Sequence, residues 1–209
     1  MQDLVRRQLA QSIATKQAVL ADQAIHATLV RAAELTADAM QSGHKLLVAG
    51  NGGSAADAQH LVAEFVVRLS ANRPALRAIA LTTDSSILTA AANDFGVASI
   101  FARQVEALGQ PGDVFLAIST SGNSPNIIAA LEAARTLNLT TFGLTGAGGG
   151  KMAALCDHLI AIPSTVTMNI QESHLALEHI FCMLVEQCLF GPGFATKRDQ
   201  PRLLKDQLK

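Results

Sequence analysis

The chain lacks the features that would commit it to a membrane, to nucleic acid or to a disulfide framework. No run of 18 apolar residues occurs in its 209 residues, so no segment reads as a membrane-spanning helix. Met1-Gln2-Asp3-Leu4-Val5-Arg6-Arg7 leads into no continuous apolar stretch of the kind a secretory signal carries. The three cysteines, Cys156, Cys182 and Cys188, form no C-x-x-C pair, and their odd number argues against a disulfide framework and a thiolate zinc knuckle. Lys and Arg number 16 against 17 Asp and Glu, a formal net charge of -1, which offers nothing to nucleic acid or an anionic membrane. A soluble protein in a reducing cytoplasm is the expectation. Apolar residues make up 49 % and charged residues 16 %, so the chain is neither disordered nor a polyelectrolyte. An anionic ligand must be held by local dipoles and a few placed side chains.

The length suits one sizeable core with an appendage. Residues 3–42 contain no Gly or Pro, and Leu4, Ile13, Val19, Leu20, Ile25, Leu29, Val30 and Leu35 recur at roughly helical spacing. Asp22 fits a break or N-cap between two helices, and Gly43 fits a C′ residue after the second. These helices can bury their stripes only against the rest of the chain or another subunit, so residues 1–43 are expected to serve oligomerisation. From Lys45 the texture changes. Leu46–Ala49, Ala78–Leu81, Val114–Ile118, Thr141–Leu144 and His158–Ile162 are short apolar runs without alternation, as in strands covered on both faces. Helical patterns at Ser54–Ser70, Ser85–Ala92, Ile100–Leu108 and Ser124–Leu137 separate them, and a long helix over about Ile170–Phe190 closes the segment. The predicted fold class is α/β: a three-layer α/β/α sandwich on a five-stranded parallel sheet over residues 44–190, with right-handed crossovers. Gly191-Pro192-Gly193 breaks the last helix, and residues 191–209 read as a solvated basic tail.

Ligands bind an open α/β sheet at the carboxyl ends of its strands. Three loops there are unusual. Gly50-Asn51-Gly52-Gly53-Ser54 lets backbone approach a ligand at a helix N-terminus, where Ser54 can cap the helix or touch an anion. Gly50-x-Gly52-x-x-Ala55 mimics a dinucleotide fingerprint, but the next acid after a strand, Asp84, stands about 30 residues on instead of about 20, and a nicotinamide cofactor is rejected. Ser119-Thr120-Ser121-Gly122-Asn123-Ser124 carries four hydroxyls in six residues at a helix start. One would serve a cap; four suit a phosphate, and no Lys follows as in a Walker A loop. Thr145-Gly146-Ala147-Gly148-Gly149-Gly150 reads as a tight turn into a short helix, and Asn93-Asp94-Phe95-Gly96 as a polar turn.

On the first sheet helix, Asp57, His60 and Glu64 share a face, and His60 and Glu64 at i, i+4 can bind one metal or form one acid–base pair. Taken alone, such a pair is better explained as an exposed polar face. A second polar set, Gln171, His174, Glu178 and His179, interrupts the apolar last helix. Helical geometry puts Glu178 nearest the Gln171 face, and spacing does not choose among the four.

Taken in order, Gly50 to His60, Glu64, Asn93-Asp94-Phe95-Gly96, Ser119 to Ser124, and Gln171-Glu172 with His174 and His179 resemble the sedoheptulose 7-phosphate isomerases (phosphoheptose isomerases) of the SIS type, over about residues 10–190. The resemblance implies conversion of sedoheptulose 7-phosphate to D-glycero-D-manno-heptose 7-phosphate, a step toward bacterial lipopolysaccharide heptose. It implies a homotetramer with the active site at a subunit contact and one zinc per subunit. It implies His60, Glu64, Gln171 and His179 as the metal set. Asn51, Gly52, Gly53, Ser54, Asn93, Asp94, Ser119, Thr120, Ser121, Ser124, Glu64 and Gln171 would hold the substrate, and Glu64 and His179 would move protons. It thereby selects His179 over Glu178. Departures are Met168 and Asn169, where some members carry a charge, and the longer tail. A non-enzymatic SIS relative that binds a replication initiator would be expected to carry Thr at 53, Asn at 57 and Arg at 121; this chain has Gly53, Asp57 and Ser121.

Overall fold

Along β1 (Leu46–Gly50), Leu46 and Val48 enter one apolar cluster while Leu47 and Ala49 enter another. Pleating sends alternate side chains to opposite faces, so a strand apolar throughout must be covered on both. The computed structural model describes residues 1–194 and shows how this is done. Five strands, β1, β2 (Ala78–Ala80), β3 (Val114–Ser119), β4 (Thr140–Thr145) and β5 (His158–Ala161), pair in parallel in the order β2-β1-β3-β4-β5. One face is covered by α2 (Gln23–Gln41), α3 (Gly53–Val66) and α7 (Thr167–Phe190), where Phe142 and Phe65 stack against Phe181 with centroids 5.6 and 5.8 Å away. The other is covered by α5 (Ala102–Leu108) and α6 (Pro125–Thr136), with α4 (Ser85–Phe95) toward that side's rim. The three-layer sandwich and its five strands stand as expected.

Strand order reverses between β1 and β3. The loops that follow these two strands therefore part in opposite directions and leave a crevice at their carboxyl ends. The glycine loop after β1 and the hydroxyl loop after β3, the first two of the three unusual loops, are those that flank it.

The N-terminal segment divides. Asp22 caps α2, its Oδ1 accepting from the Ala24 and Ile25 N–H groups at 2.9 and 3.2 Å. Gly43 N–H and His44 N–H bond back to the Met40 and Ala39 carbonyls and close the helix. Ile25, Leu29, Ala32, Ala33 and Ala37 of α2 belong to the chain's own core. By contrast α1 (Gln2–Ala21) buries only Thr15 and Val19, and Leu4, Leu9 and Ile13 stay about half exposed.

Element ends differ from the sequence reading in places. Asn93-Asp94-Phe95 is the last turn of α4, which Gly96 ends at φ 86; its polar residues face solvent and cost the helix little. Helix α3 stops at Val66, four residues short of the expected end. Much of the basic tail, residues 195–209, lies outside the described residues. No helix among the described residues is long and apolar enough to cross a membrane, and all three cysteines are free thiols.

Candidate active site

The first loop is held by an amide pair. Asn51 Nδ2 donates to Asn126 Oδ1 at 2.9 Å, and Asn126 Nδ2 returns the bond to Asn51 Oδ1 at 2.8 Å. This ties the start of α3 to the start of α6 across the crevice. Asn126 was missed in the sequence, where a lone Asn inside a helix carries no signal. Gly52 holds the N-cap position of α3, and Ser54 lies buried in the first turn. Of the two roles open to Ser54, capping the helix or touching an anion, the cap does not form, because the helix begins at Gly53.

The second loop gathers its hydroxyls. Ser119 Oγ lies 2.9 Å from Ser124 Oγ and 3.4 Å from Ser121 Oγ. Ser124 occupies the N-cap of α6, yet its hydroxyl makes no cap bond and turns to Ser119 instead. The helix start is left without a side-chain cap, the condition in which its N–H groups are available to an anion. Gly122 sits at φ 64, and a Cβ there would come within 2.2 Å of the Gly149 carbonyl oxygen. The glycine-rich third loop is thus a buttress: Met152 N–H bonds the Gly122 carbonyl, and Gly146 N–H the Thr120 carbonyl. It turns into a short 3-10 helix, Gly150–Ala154, as expected. Beside it opens a cleft of about 220 Å³, lined by Thr120, Ser121, Ala147, Ser164, Thr165 and Thr167.

Side chains from α3 and α7 meet at one point. His60 Nε2 lies 2.8 Å from His179 Nε2 and 3.6 Å from Glu64 Oε1, with the imidazoles edge to face at 83°. One ligand atom from each of His60, Glu64 and His179 lies within 4.8 Å of the others. A tetrahedral zinc with bonds of about 2.0–2.1 Å would set two nitrogens about 3.3 Å apart, so the pair needs to open by about half an ångström. The donor set of two imidazoles and a carboxylate fits that ion. Gln171 supplies a fourth candidate: its Nε2 donates to Asp57 Oδ2 at 3.1 Å and Oδ1 at 3.3 Å, which leaves the amide oxygen as its free ligand atom. Its amide lies close against Gly53, where a Cβ would fall 2.4 Å from Nε2 and 2.5 Å from Oε1.

The other polar residues of α7 turn inward. His174 and Glu178 are 0 and 1 % exposed. His174 Nε2–H donates to the Thr145 carbonyl at 3.1 Å, and burial pushes the imidazole down to about 4. Burial, with Asp57 adding to it, raises the Glu178 carboxyl to about 8. Both are neutral core groups near neutral pH, and Glu178 lines a small apolar cavity with Leu29, Leu116 and Phe142. Asp57 is also raised, chiefly by burial and against its bond from Gln171. Asn93 and Asp94 are exposed and bonded to each other at 2.7 Å; no hydrogen bond or ion pair among the described residues links them to the rest of the set.

A doubly wound parallel sheet with a hydroxyl loop and an uncapped helix start at its switch point defines the SIS class, and the SIS domain model matches residues 9–146. Within that class the chain belongs to the phosphoheptose isomerase family. It is 50 % identical to the phosphoheptose isomerase of Aneurinibacillus thermoaerophilus over 94 % of this chain and 99 % of that one. It is 51 % identical to phosphoheptose isomerase 2 of Campylobacter jejuni, over 93 and 96 %. The solved phosphoheptose isomerase of Neisseria gonorrhoeae superposes with a TM-score of 0.84 at 43 % identity, over 89 % of this chain and 98 % of that one.

Proposed function

We propose that the chain is an aldose–ketose isomerase that converts sedoheptulose 7-phosphate to D-glycero-D-manno-heptose 7-phosphate through an enediol. The observation that carries this is the convergence of His60, Glu64 and His179, in a chain half identical to named phosphoheptose isomerases that also carries a hydroxyl-lined helix start. The non-enzymatic alternative, a replication-initiator-binding module, is not favoured by these relatives.

Ser119, Thr120, Ser121 and Ser124 hold the phosphate with the N-terminus of α6. Asn51, Gly52, Gly53 and Ser54 approach the sugar from the β1 side, and Gln171 from α7. Glu64 takes a proton from C1 of the ketose while His179 gives one to O2, producing the enediol. Glu64, after exchange of its proton with solvent, delivers a proton to C2 as His179 takes the one on O1, leaving the aldehyde at C1. His60, Glu64, Gln171 and His179 are the residues that would hold one zinc ion per subunit. Such an ion supplies polarisation of the carbonyl. A carboxylate bound to metal would be a weaker base, and both roles, ligand and base, are assigned to Glu64.

The assembly we propose is a homotetramer formed through residues 1–43. Support comes from α1, whose Leu4, Leu9 and Ile13 find no cover, and from an apolar groove of about 350 Å³ between α1, α2 and α7 lined by Leu20, Val30 and Ile180. Asn93 and Asp94, exposed at the end of α4, belong to the proposed substrate-binding set as well. Three free thiols are consistent with a cytoplasmic setting, and bacterial heptose for lipopolysaccharide is the proposed use of the product. Turnover in deuterated water tests the enediol: one deuterium appears at C2 of the product. Product without solvent deuterium in any fraction would point to a hydride shift instead.

A further inference from the structure

The catalytic side chains proposed above come from two helices, and a buried ion pair joins the loop that follows the first, α3, to the second, α7. Arg73 Nε donates to Glu186 Oε1 at 2.6 Å, and both side chains are 0 % exposed. A buried ion pair alone is weak evidence for stability, because desolvation offsets its attraction. Its value must lie in what else the guanidinium does. Nη2 donates to the Glu64 carbonyl at 2.5 Å and Nη1 to the Phe65 carbonyl at 2.8 Å. These are among the last carbonyls of α3, which have no partner within the helix. Arg73 therefore ends α3 at Val66, where the sequence pattern alone would have carried it on to Ser70. One arm holds the very residue that carries the proposed base. Glu186 stands two helical turns beyond His179 on α7, so the planar fork spans the gap between the two catalytic helices.

We infer that Arg73, seated on Glu186, is a positioning residue that fixes the last turn of α3 against α7 so that Glu64 meets His179. This rests on the isomerase reading for its kinetic consequence, but the clamp itself is a statement about two helices.

The test uses the full chain. In the double variant Arg73→Met with Glu186→Met, no charge is left buried, and the fold should persist with a melting temperature near the parent's. Methionine cannot bond the two carbonyls. Amide exchange over residues 64–67 should then quicken by at least about tenfold, and kcat should fall about 10²-fold, the usual cost of misplacing a catalytic group by about an ångström. KM should stay within about threefold, since the serine loop is untouched. If the double variant does not fold, Arg73→Lys keeps the charge opposite Glu186 but not the fork, and the same loss of kcat and protection is expected in weaker form. Unchanged exchange over 64–67 overturns the clamp whether or not the parent turns over. Quickened exchange with parental kcat overturns its positioning role. A parent with no turnover refutes the isomerase reading, and exchange alone then judges the clamp.

Discussion

Glu178 and His174 are one turn apart on α7 and both end in the core, neither charged near neutral pH. Their effects on stability run in opposite directions. The Glu178 carboxyl is raised from 4.5 to about 8, so its contribution is fully present below about pH 4.5 and is lost as pH rises toward 8. The His174 imidazole is lowered from 6.5 to about 4, so its contribution is present above about pH 6.5 and is lost as pH falls toward 4. Glu178→Gln keeps the shape without the proton. It is expected to raise the melting temperature by at least about 2 °C at pH 8 and by much less at pH 5, read by calorimetry across that range. A larger gain at pH 5 would contradict the assignment. Gly53→Ala is the complementary test at the site. Its Cβ would displace the Gln171 amide, and both residues are assigned to the sugar, so turnover should drop at least about tenfold and sugar-phosphate binding, measured by calorimetric titration, should weaken with it. Helical spacing brought Gln171, His174, Glu178 and His179 into view and could not divide them. Burial divides them, and burial is set by which elements pack on α7, a fact no local pattern contains.

At the scale of elements the strands were the most legible. Runs such as Val114–Ile118 are apolar on successive residues because helices cover both faces, and each run lies within a residue or two of an observed strand. Helix ends read well where a side chain or glycine makes the cap, as at Asp22 and Gly43. The end of α3 was illegible because its cap comes from Arg73, outside the helix, bonded in turn to a residue more than a hundred positions on. Asp22→Ala should lose about 1 kcal/mol, a fall of about 2–4 °C in melting temperature. The two N-terminal helices looked alike in sequence, yet α2 joins the core along its length while α1 contributes only Val19 to it. Placing charge on α1, as Leu9→Glu with Ile13→Glu, should leave the monomer folded and shift light-scattering mass to a smaller species. An unchanged mass would remove α1 from the assembly interface.

Across the whole molecule, topology does what no single motif does. The reversal of strand order between β1 and β3 sets two loops distant in sequence on either side of one crevice, and the Asn51–Asn126 pair ties them. Helices α3 and α7 then bring His60, Glu64 and His179 to within ligand distance of one another. The central claim is that this constellation moves a proton on a phosphorylated ketose held by the serine loop. The most direct measurement follows sedoheptulose 7-phosphate by NMR with the parent protein and with Glu64→Gln, alongside a titration of substrate binding. The account predicts a heptose aldose product from the parent, turnover lowered ~10²–10⁴-fold in Glu64→Gln, and binding largely retained. No aldose from the parent, or a parental rate from Glu64→Gln, would contradict it.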